Sequence, residues 1–228
     1  MFEFLFLDLD DTILDFKKAE SVAIEKTLAN AGIDPTAENT ALYSRINQSL
    51  WEALERGEVT REQIRTLRFA RLFETLGIDG EPEAAALDYI RLLGIGHWFL
   101  PGAEEALEAL RGKYRLFLAS NGFASVQKGR LTSANLYRFF DKCFVSEEIG
   151  HNKPSKAYFD GAFAQIPDFD KSKALIVGDS LTSDILGGNN AGIATCWVNP
   201  QGKPRRPDIR VDYEIKALSE LPALLESL

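Results

Sequence analysis

Phe4-Leu5-Phe6-Leu7-Asp8-Leu9-Asp10-Asp11-Thr12 decides how this 228-residue chain is read. The apolar run Phe4 to Leu7 has no polar face, which fits a strand buried on both sides in a parallel sheet covered by helices. It ends abruptly in Asp8, Asp10 and Asp11. In an open parallel sheet, ligands bind just beyond the carboxyl ends of the strands. The acidic turn therefore stands where chemistry is expected.

Further apolar runs lie downstream at residues 116–119, 143–145, 174–177 and 194–198. Helical periodicity falls between or after them, at residues 102–111, 124–134, 156–165, 183–191 and 218–225. This alternation predicts an α/β fold with a doubly wound parallel sheet. The stretch between the first and second strands breaks the pattern. It carries four amphipathic helical segments, at 19–31, 38–56, 61–76 and 83–93, with Gly32, Gly57 and Gly77 as stops. The expected organisation is a core of residues 1–14 plus 97–228, with residues 15–96 inserted as a helical cap. Asn199 to Pro207, with three prolines and a basic cluster, reads as a linker.

Composition narrows the function. Hydrophobic residues make up 45%, enough for a sizeable core. A formal net charge of −8 argues against polymeric nucleic acid, which needs a basic face. No run approaches the ~20 apolar residues of a membrane span. The first residues lack the basic segment and cleavage site of a secretory signal, so a cytoplasmic location is expected. Cys143 and Cys196 are too few for a disulfide framework, and with His97 and His151 they show no zinc spacing. No Gly-x-Ser-x-Gly elbow marks a serine hydrolase.

The residues directly after each strand gather a definite chemistry. They are Asp8, Asp10 and Asp11 after the first, Ser120-Asn121-Gly122 after the second, a loop ending Asn152-Lys153-Pro154 after the third, and Gly178-Asp179 with Asp184 after the fourth. Converging carboxylates repel one another unless a cation lies between them, and hard divalent ions favour oxygen ligands. A lysine and main-chain N–H groups beside them suit an anion such as phosphate. Each piece has a plainer reading. Asp8 or Thr12 can cap a helix, Ser120-Asn121-Gly122 can be a turn, Lys153-Pro154 a helix entry and Asp184 a first-turn carboxylate. Their joint placement favours a site. Gly187 to Gly192 follows a helical stretch rather than a strand, so it is not read as a phosphate loop, and Gly192 is read as a helix stop.

Asp8-Leu9-Asp10-Asp11-Thr12, Ser120, Lys153 and Gly178-Asp179 with Asp184 resemble, in order, the four signatures of the haloacid dehalogenase-like (HAD) phosphohydrolases. The resemblance spans essentially the whole chain. It implies a nucleophile at Asp8 that forms an aspartyl-phosphate, and a general acid–base at Asp10. It also implies Mg²⁺ held by Asp8, the Asp10 carbonyl and Asp179, with Asp184 as a further ligand or supporting group. Ser120, Asn121, Lys153 and the Leu9 and Asp10 backbone would hold the phosphoryl oxygens. An acid at Asp10 sets the chain with the family's phosphatases and apart from its metal-free dehalogenases.

A finer resemblance covers Asn47 to Trp51 with Gly57 and Thr60, Ser120 to Phe123, Ser146 to Gly150 and Ser183 to Gly192. It is to bacterial pyrimidine-type nucleoside 5′-monophosphatases. The implied substrate is a small phosphomonoester, with a nucleoside monophosphate preferred, and Asn47 and Trp51 are candidate specificity residues in the cap. Trp51 is read two ways, as a base-stacking ring or as packing inside the cap with Leu50 and Leu54. A phosphoglycolate or sugar-phosphate phosphatase, and a phosphate-binding regulatory protein with little turnover, remain as alternatives. Monomer and homodimer are both open.

Overall fold

The first strand, β1 (Phe4–Leu7), shows why the sheet forms where it does. Its pleat sends Phe4 and Phe6 to one face and Leu5 and Leu7 to the other, and each pair joins a different buried cluster. A computed structural model describes residues 1–228. It places β1 in a six-stranded, wholly parallel sheet with β2 (Arg115–Ser120), β3 (Lys142–Val145), β4 (Ala174–Gly178), β5 (Ala194–Val198) and β6 (Tyr213–Ile215). The strand order is β3-β2-β1-β4-β5-β6. Winding reverses at β1, so a crevice opens between the carboxyl ends of β1, β2 and β4.

The leucine face of the sheet is covered by residues that precede β2, follow it, and close the chain. Leu107 and Leu110, Leu131, and Leu221 and Leu225 pack there. On the aromatic face, Phe6 stacks on Phe117 with ring centres 5.2 Å apart, under Tyr158, Phe159 and Phe163. Offset aromatic packing of this kind adds to the area term that drives burial.

The first four of the five helices between β1 and β2 are α1 (Phe16–Asn30), α2 (Ala37–Glu55), α3 (Arg61–Leu76) and α4 (Pro82–Leu93). They enclose a separate core in which Tyr43, Phe69 and Tyr89 meet with ring centres 5.1–5.7 Å apart. Thr60 and Gln63 form a reciprocal capping box at the start of α3, and Gly77 ends it at φ 65°, a conformation that favours glycine. The two connections between this bundle and the sheet domain run side by side. Asp15 N–H donates to the Trp98 carbonyl at 2.8 Å and Leu100 N–H to the Ile13 carbonyl at 2.9 Å.

Two local details go beyond the sequence reading. The stretch after the 199–207 loop supplies an edge strand that sequence reading did not include, β6, whose Cys196–Tyr213 register adds it to β5. It escaped notice because three residues with an exposed Glu214 in the middle carry no run. The helical stretch expected at 183–191 is present and starts earlier, as a wide π-helical turn, Leu181–Ile185, that runs into the α-helix Leu186–Ala191. Gly192 ends that helix at φ 74°, as its position in the sequence predicts.

Candidate active site

Asp8 is the first residue beyond β1, and its N–H donates to the Val177 carbonyl of β4 at 2.9 Å. The sheet ladder thus holds it in the crevice. The chain then turns sharply: Leu9 buries its side chain in the leucine core, Asp11 takes φ 57°, and the Leu14 N–H reaches back to the Leu9 carbonyl at 2.9 Å. The N–H groups of Leu9, Asp10 and Asn121 have no acceptor in the protein. Neither Asp8 nor Thr12 caps α1; that task falls to Asp15, which accepts from the Lys18 N–H at 2.9 Å.

Lys153 arrives from the loop after β3 and is almost wholly buried. Its ammonium donates to Asp8 Oδ1 at 2.7 Å, Asp184 Oδ1 at 2.6 Å and the Ala119 carbonyl at 2.6 Å. All three hydrogens are therefore in use, and a phosphoryl oxygen would have to displace one of these partners. Burial works against the charge on Lys153, but Asp184 and Asp8 outweigh it and hold the ammonium above its ordinary pKa. Lys153 is not a helix entry, because Ser155 is the cap of the helix that follows.

The fourth strand supplies the rest of the acidic cluster. Asp184 Oδ2 accepts from the Ser180 N–H at 3.1 Å, folding the wide turn onto the end of β4. A Cβ at Gly178 would stand 2.2 Å from that oxygen, so only glycine lets the carboxylate lie there. Oxygens of Asp8, Asp179 and Asp184 all fall within 4.8 Å of one another. Burial, reinforced by Asp184 and Asp11, pushes the Asp179 carboxyl up to about 7. Burial also raises Asp8; Lys153 opposes that rise, while Asp184, Asp10 and Asp179 add to it. Three oxygen-only donors held this close suit a hard divalent cation.

Asn121 knits the crevice together. Its amide donates to the Lys153 carbonyl at 2.9 Å and Ser183 Oγ at 3.1 Å, and its Oδ1 accepts from the Lys153 N–H at 2.9 Å. Ser120 is fully buried, and its Oγ accepts from Gln127 Nε2 at 2.8 Å. The same Gln127 nitrogen donates to Asp10 Oδ2 at 2.9 Å, while Asp10 Oδ1 is paired with Arg130. Gln127 and Arg130 lie one turn apart in the helix that follows β2, Ala124–Ser133, and sequence reading missed both.

The crevice is a cleft of about 210 Å³ whose far wall belongs to the cap: Phe16, Trp51, Leu54 and Glu55. Trp51 meets Phe123 edge to face at 6.0 Å, so it both lines the cleft and packs against the sheet domain. Asn47 must be corrected. It is buried in the cap interior, where its amide donates to Glu20 Oε1 at 2.7 Å, so that group is committed to the bundle and does not face the cleft. A cap residue that sequence reading left out, Arg61, crosses to the sheet domain instead. Its guanidinium donates to Ser146 Oγ at 2.6 Å and also bonds Asn152. A larger cavity of about 440 Å³ lies within the cap beside Phe73 and Ile78 and contains none of these groups.

A sheet that reverses its winding at an acidic crevice, with a helical bundle inserted just after the first strand, defines a class of hydrolase. The model of the haloacid dehalogenase-like hydrolase family matches residues 5–198, and the chain belongs to that family. It is 41% identical to the HAD-hydrolase YfnB of Bacillus subtilis, over 97% of this chain and 94% of YfnB. The crystal structure of YfnB bound to magnesium superposes with a TM-score of 0.93 at 40% identity, covering 98% of both chains. The chain is also 35% identical to the pyrimidine 5′-nucleotidase PynA of Streptococcus pneumoniae, over 96% of this chain and 93% of PynA. Identity to the pyrimidine 5′-nucleotidase YjjG of Escherichia coli is 34%, over 98% and 97%. No helix is long and apolar enough to cross a membrane.

Proposed function

We propose that this chain is a Mg²⁺-dependent phosphomonoesterase that works through an aspartyl-phosphate and takes a pyrimidine nucleoside 5′-monophosphate as its substrate. The observation that carries the reading is the meeting of Asp8, Asp179, Asp184 and Lys153 at one point beyond the sheet. The similarity to PynA and YjjG supports the nucleotide, and the magnesium bound by YfnB supports the metal.

Asp8 is the nucleophile, and Lys153 at 2.7 Å orients its carboxylate and offsets its charge. The free N–H groups of Leu9, Asp10 and Asn121, with Ser120 behind them, grip the phosphoryl oxygens. Asp10 protonates the leaving oxygen and then takes a proton from the water that opens the aspartyl-phosphate. Asp8, Asp179 and the Asp10 carbonyl hold Mg²⁺, with Asp184 beside them. When bound, the ion neutralises the carboxylates and draws charge from the phosphoryl group. The cap wall at Phe16, Trp51, Leu54 and Glu55 closes over the leaving group and excludes water.

The test is release of inorganic phosphate from a panel of phosphomonoesters, with Mg²⁺ and with excess EDTA, alongside Asp8→Asn. Mg²⁺-dependent turnover, highest on pyrimidine nucleoside monophosphates and abolished by Asp8→Asn, is the expected result. Undiminished turnover in EDTA would overturn the metal assignment. A clear preference for phosphoglycolate or a sugar phosphate would move the substrate.

A further inference from the structure

The groups around Asp10 are built more heavily than a surface turn requires. Arg130 has no exposed surface, and nothing in the family signatures asks for a guanidinium here. Its Nη1 pairs with Asp10 Oδ1, its Nε donates to the Gly96 carbonyl at 3.1 Å, and the Phe16 ring lies 5.6 Å from its centre. Gly96 lies on the return connection from the cap, and Phe16 opens α1 on the outgoing one. One buried side chain therefore touches both connections and the catalytic turn. Gln127, a turn earlier, holds Asp10 Oδ2 and Ser120 Oγ at 2.9 and 2.8 Å. The helix bearing both lies close against the return connection: a Cβ at Gly129 would fall 2.5 Å from the Gly94 carbonyl oxygen.

Burying a guanidinium costs several kcal/mol unless its partners are well placed. A purely structural helix has no need of one aimed at a carboxylate that is itself a quarter exposed to the cleft. Asp8 and Asp184 have Lys153, whereas Asp10 has no lysine. Without Arg130 its carboxylate would swing on two free torsions beside three like charges, and acid–base transfer demands placement within hydrogen-bond reach.

We propose that Arg130, with Gln127, is the positioning residue of the acid–base step. It holds the Asp10 carboxylate at a fixed place relative to the nucleophile and to the two cap connections. This rests on the phosphatase reading and on Asp10 as its acid–base. The effect should fall on the step that Asp10 serves most, opening of the aspartyl-phosphate, and spare attack by Asp8 on a substrate with a good leaving group.

The experiment measures p-nitrophenyl phosphate in two regimes, rapid-mixing burst and steady state, for wild type, Arg130→Met, Asp10→Asn and the double variant, with melting curves. Arg130→Met should lower steady-state kcat roughly 10- to 100-fold, a share of the 10²–10⁴ typical of acid–base catalysis, while the burst rate and kcat/KM change little and KM falls with kcat. Arg130→Lys should recover part of the loss. Added to Asp10→Asn, the Arg130→Met change should cost less than about twofold more, because its effect acts through Asp10. Equal loss of burst and turnover, or losses that multiply in the double variant, would overturn the proposal and leave Arg130 a structural residue. If Arg130→Met fails to fold, Arg130→Lys and Gln127→Leu carry the same readouts. A wild type with no Mg²⁺-dependent turnover would instead bring down the phosphatase reading beneath it.

Discussion

Asp8 and Lys153 stand 145 positions apart in the chain, yet the Lys153 ammonium donates to Asp8 Oδ1 at 2.7 Å with both side chains buried. The contact joins the first strand to the loop after the third. Removing one member of a buried pair leaves the other charge uncompensated, which typically costs about 3–5 kcal/mol.

Lys153→Met is therefore expected to lower the melting temperature markedly at pH 7.5 as well as abolish turnover. Part of the stability should return at pH 5.5. The Asp8 carboxylate, raised by burial and freed from the ammonium that opposes that rise, would bind a proton in the folded state that the unfolded chain does not bind, so acidification favours folding. Melting curves at the two pH values check this. A variant equally unstable at both would show that the pairing matters for geometry rather than charge.

Magnesium binding should depend on pH through Asp179 and Asp8. Both folded-state pKa values are raised, Asp179 to about 7, above the unfolded value of 3.8. Between those limits the metal-free protein carries protons that the unfolded chain lacks, so these groups favour folding as pH falls and oppose it as pH rises. Mg²⁺ must displace the same protons. Its affinity should drop on the order of tenfold per pH unit below pH 7, with the thermal shift from Mg²⁺ larger at pH 7.5 than at 5.5. Titration calorimetry in two buffers of different ionisation enthalpy reads the released proton directly. An affinity that is flat from pH 7.5 to 5.5 would refute the raised carboxylates.

What the sequence made legible was whatever is contiguous. Runs such as Phe4 to Leu7 mark strands because both faces are buried, and the residue after each run lands in the crevice by topology. Arg130 and Gln127 were illegible because their partner Asp10 lies 120 and 117 positions away and their own helix carries no distinguishing pattern. Asn47 was misplaced for another reason. Spacing of one helical turn puts it near Trp51 on α2, but spacing fixes relative angle, not which neighbour the face meets. Glu20 of α1 draws Asn47 into the bundle, while Trp51, a turn later, reaches the cleft.

Arg61 provides a contact from cap to sheet domain that no signature describes. Hydrogen bonds from a charged donor contribute about 1.5–3 kcal/mol, and this one ties α3 to Ser146, which also accepts from the Gly122 N–H at 3.1 Å. Arg61→Ala should raise KM for nucleotides several-fold, with a smaller change in kcat, because the cap wall is then less firmly held over the substrate. Unchanged kinetics with a lowered melting temperature would confine Arg61 to stability.

The last prediction separates the two roles of Trp51. The Asp8, Asp179 and Lys153 groups address only the phosphoryl end, which every phosphomonoester shares, so discrimination must come from the cap wall. Trp51 is the largest ring on that wall, and its edge-to-face contact with Phe123 at 6.0 Å leaves part of its surface toward the cleft. A nucleobase stacked on such a ring gains roughly 1–3 kcal/mol, and that gain is absent for p-nitrophenyl phosphate if its smaller ring does not reach the wall. Trp51→Ala should then lower kcat/KM for pyrimidine nucleoside monophosphates about 5- to 150-fold, the same energy expressed as a rate ratio, with a distinctly smaller effect on p-nitrophenyl phosphate. Trp51→Phe should fall between. Equal losses on both substrates, accompanied by a large fall in melting temperature, would assign Trp51 to packing between cap and sheet domain and remove this support for a base-recognising wall.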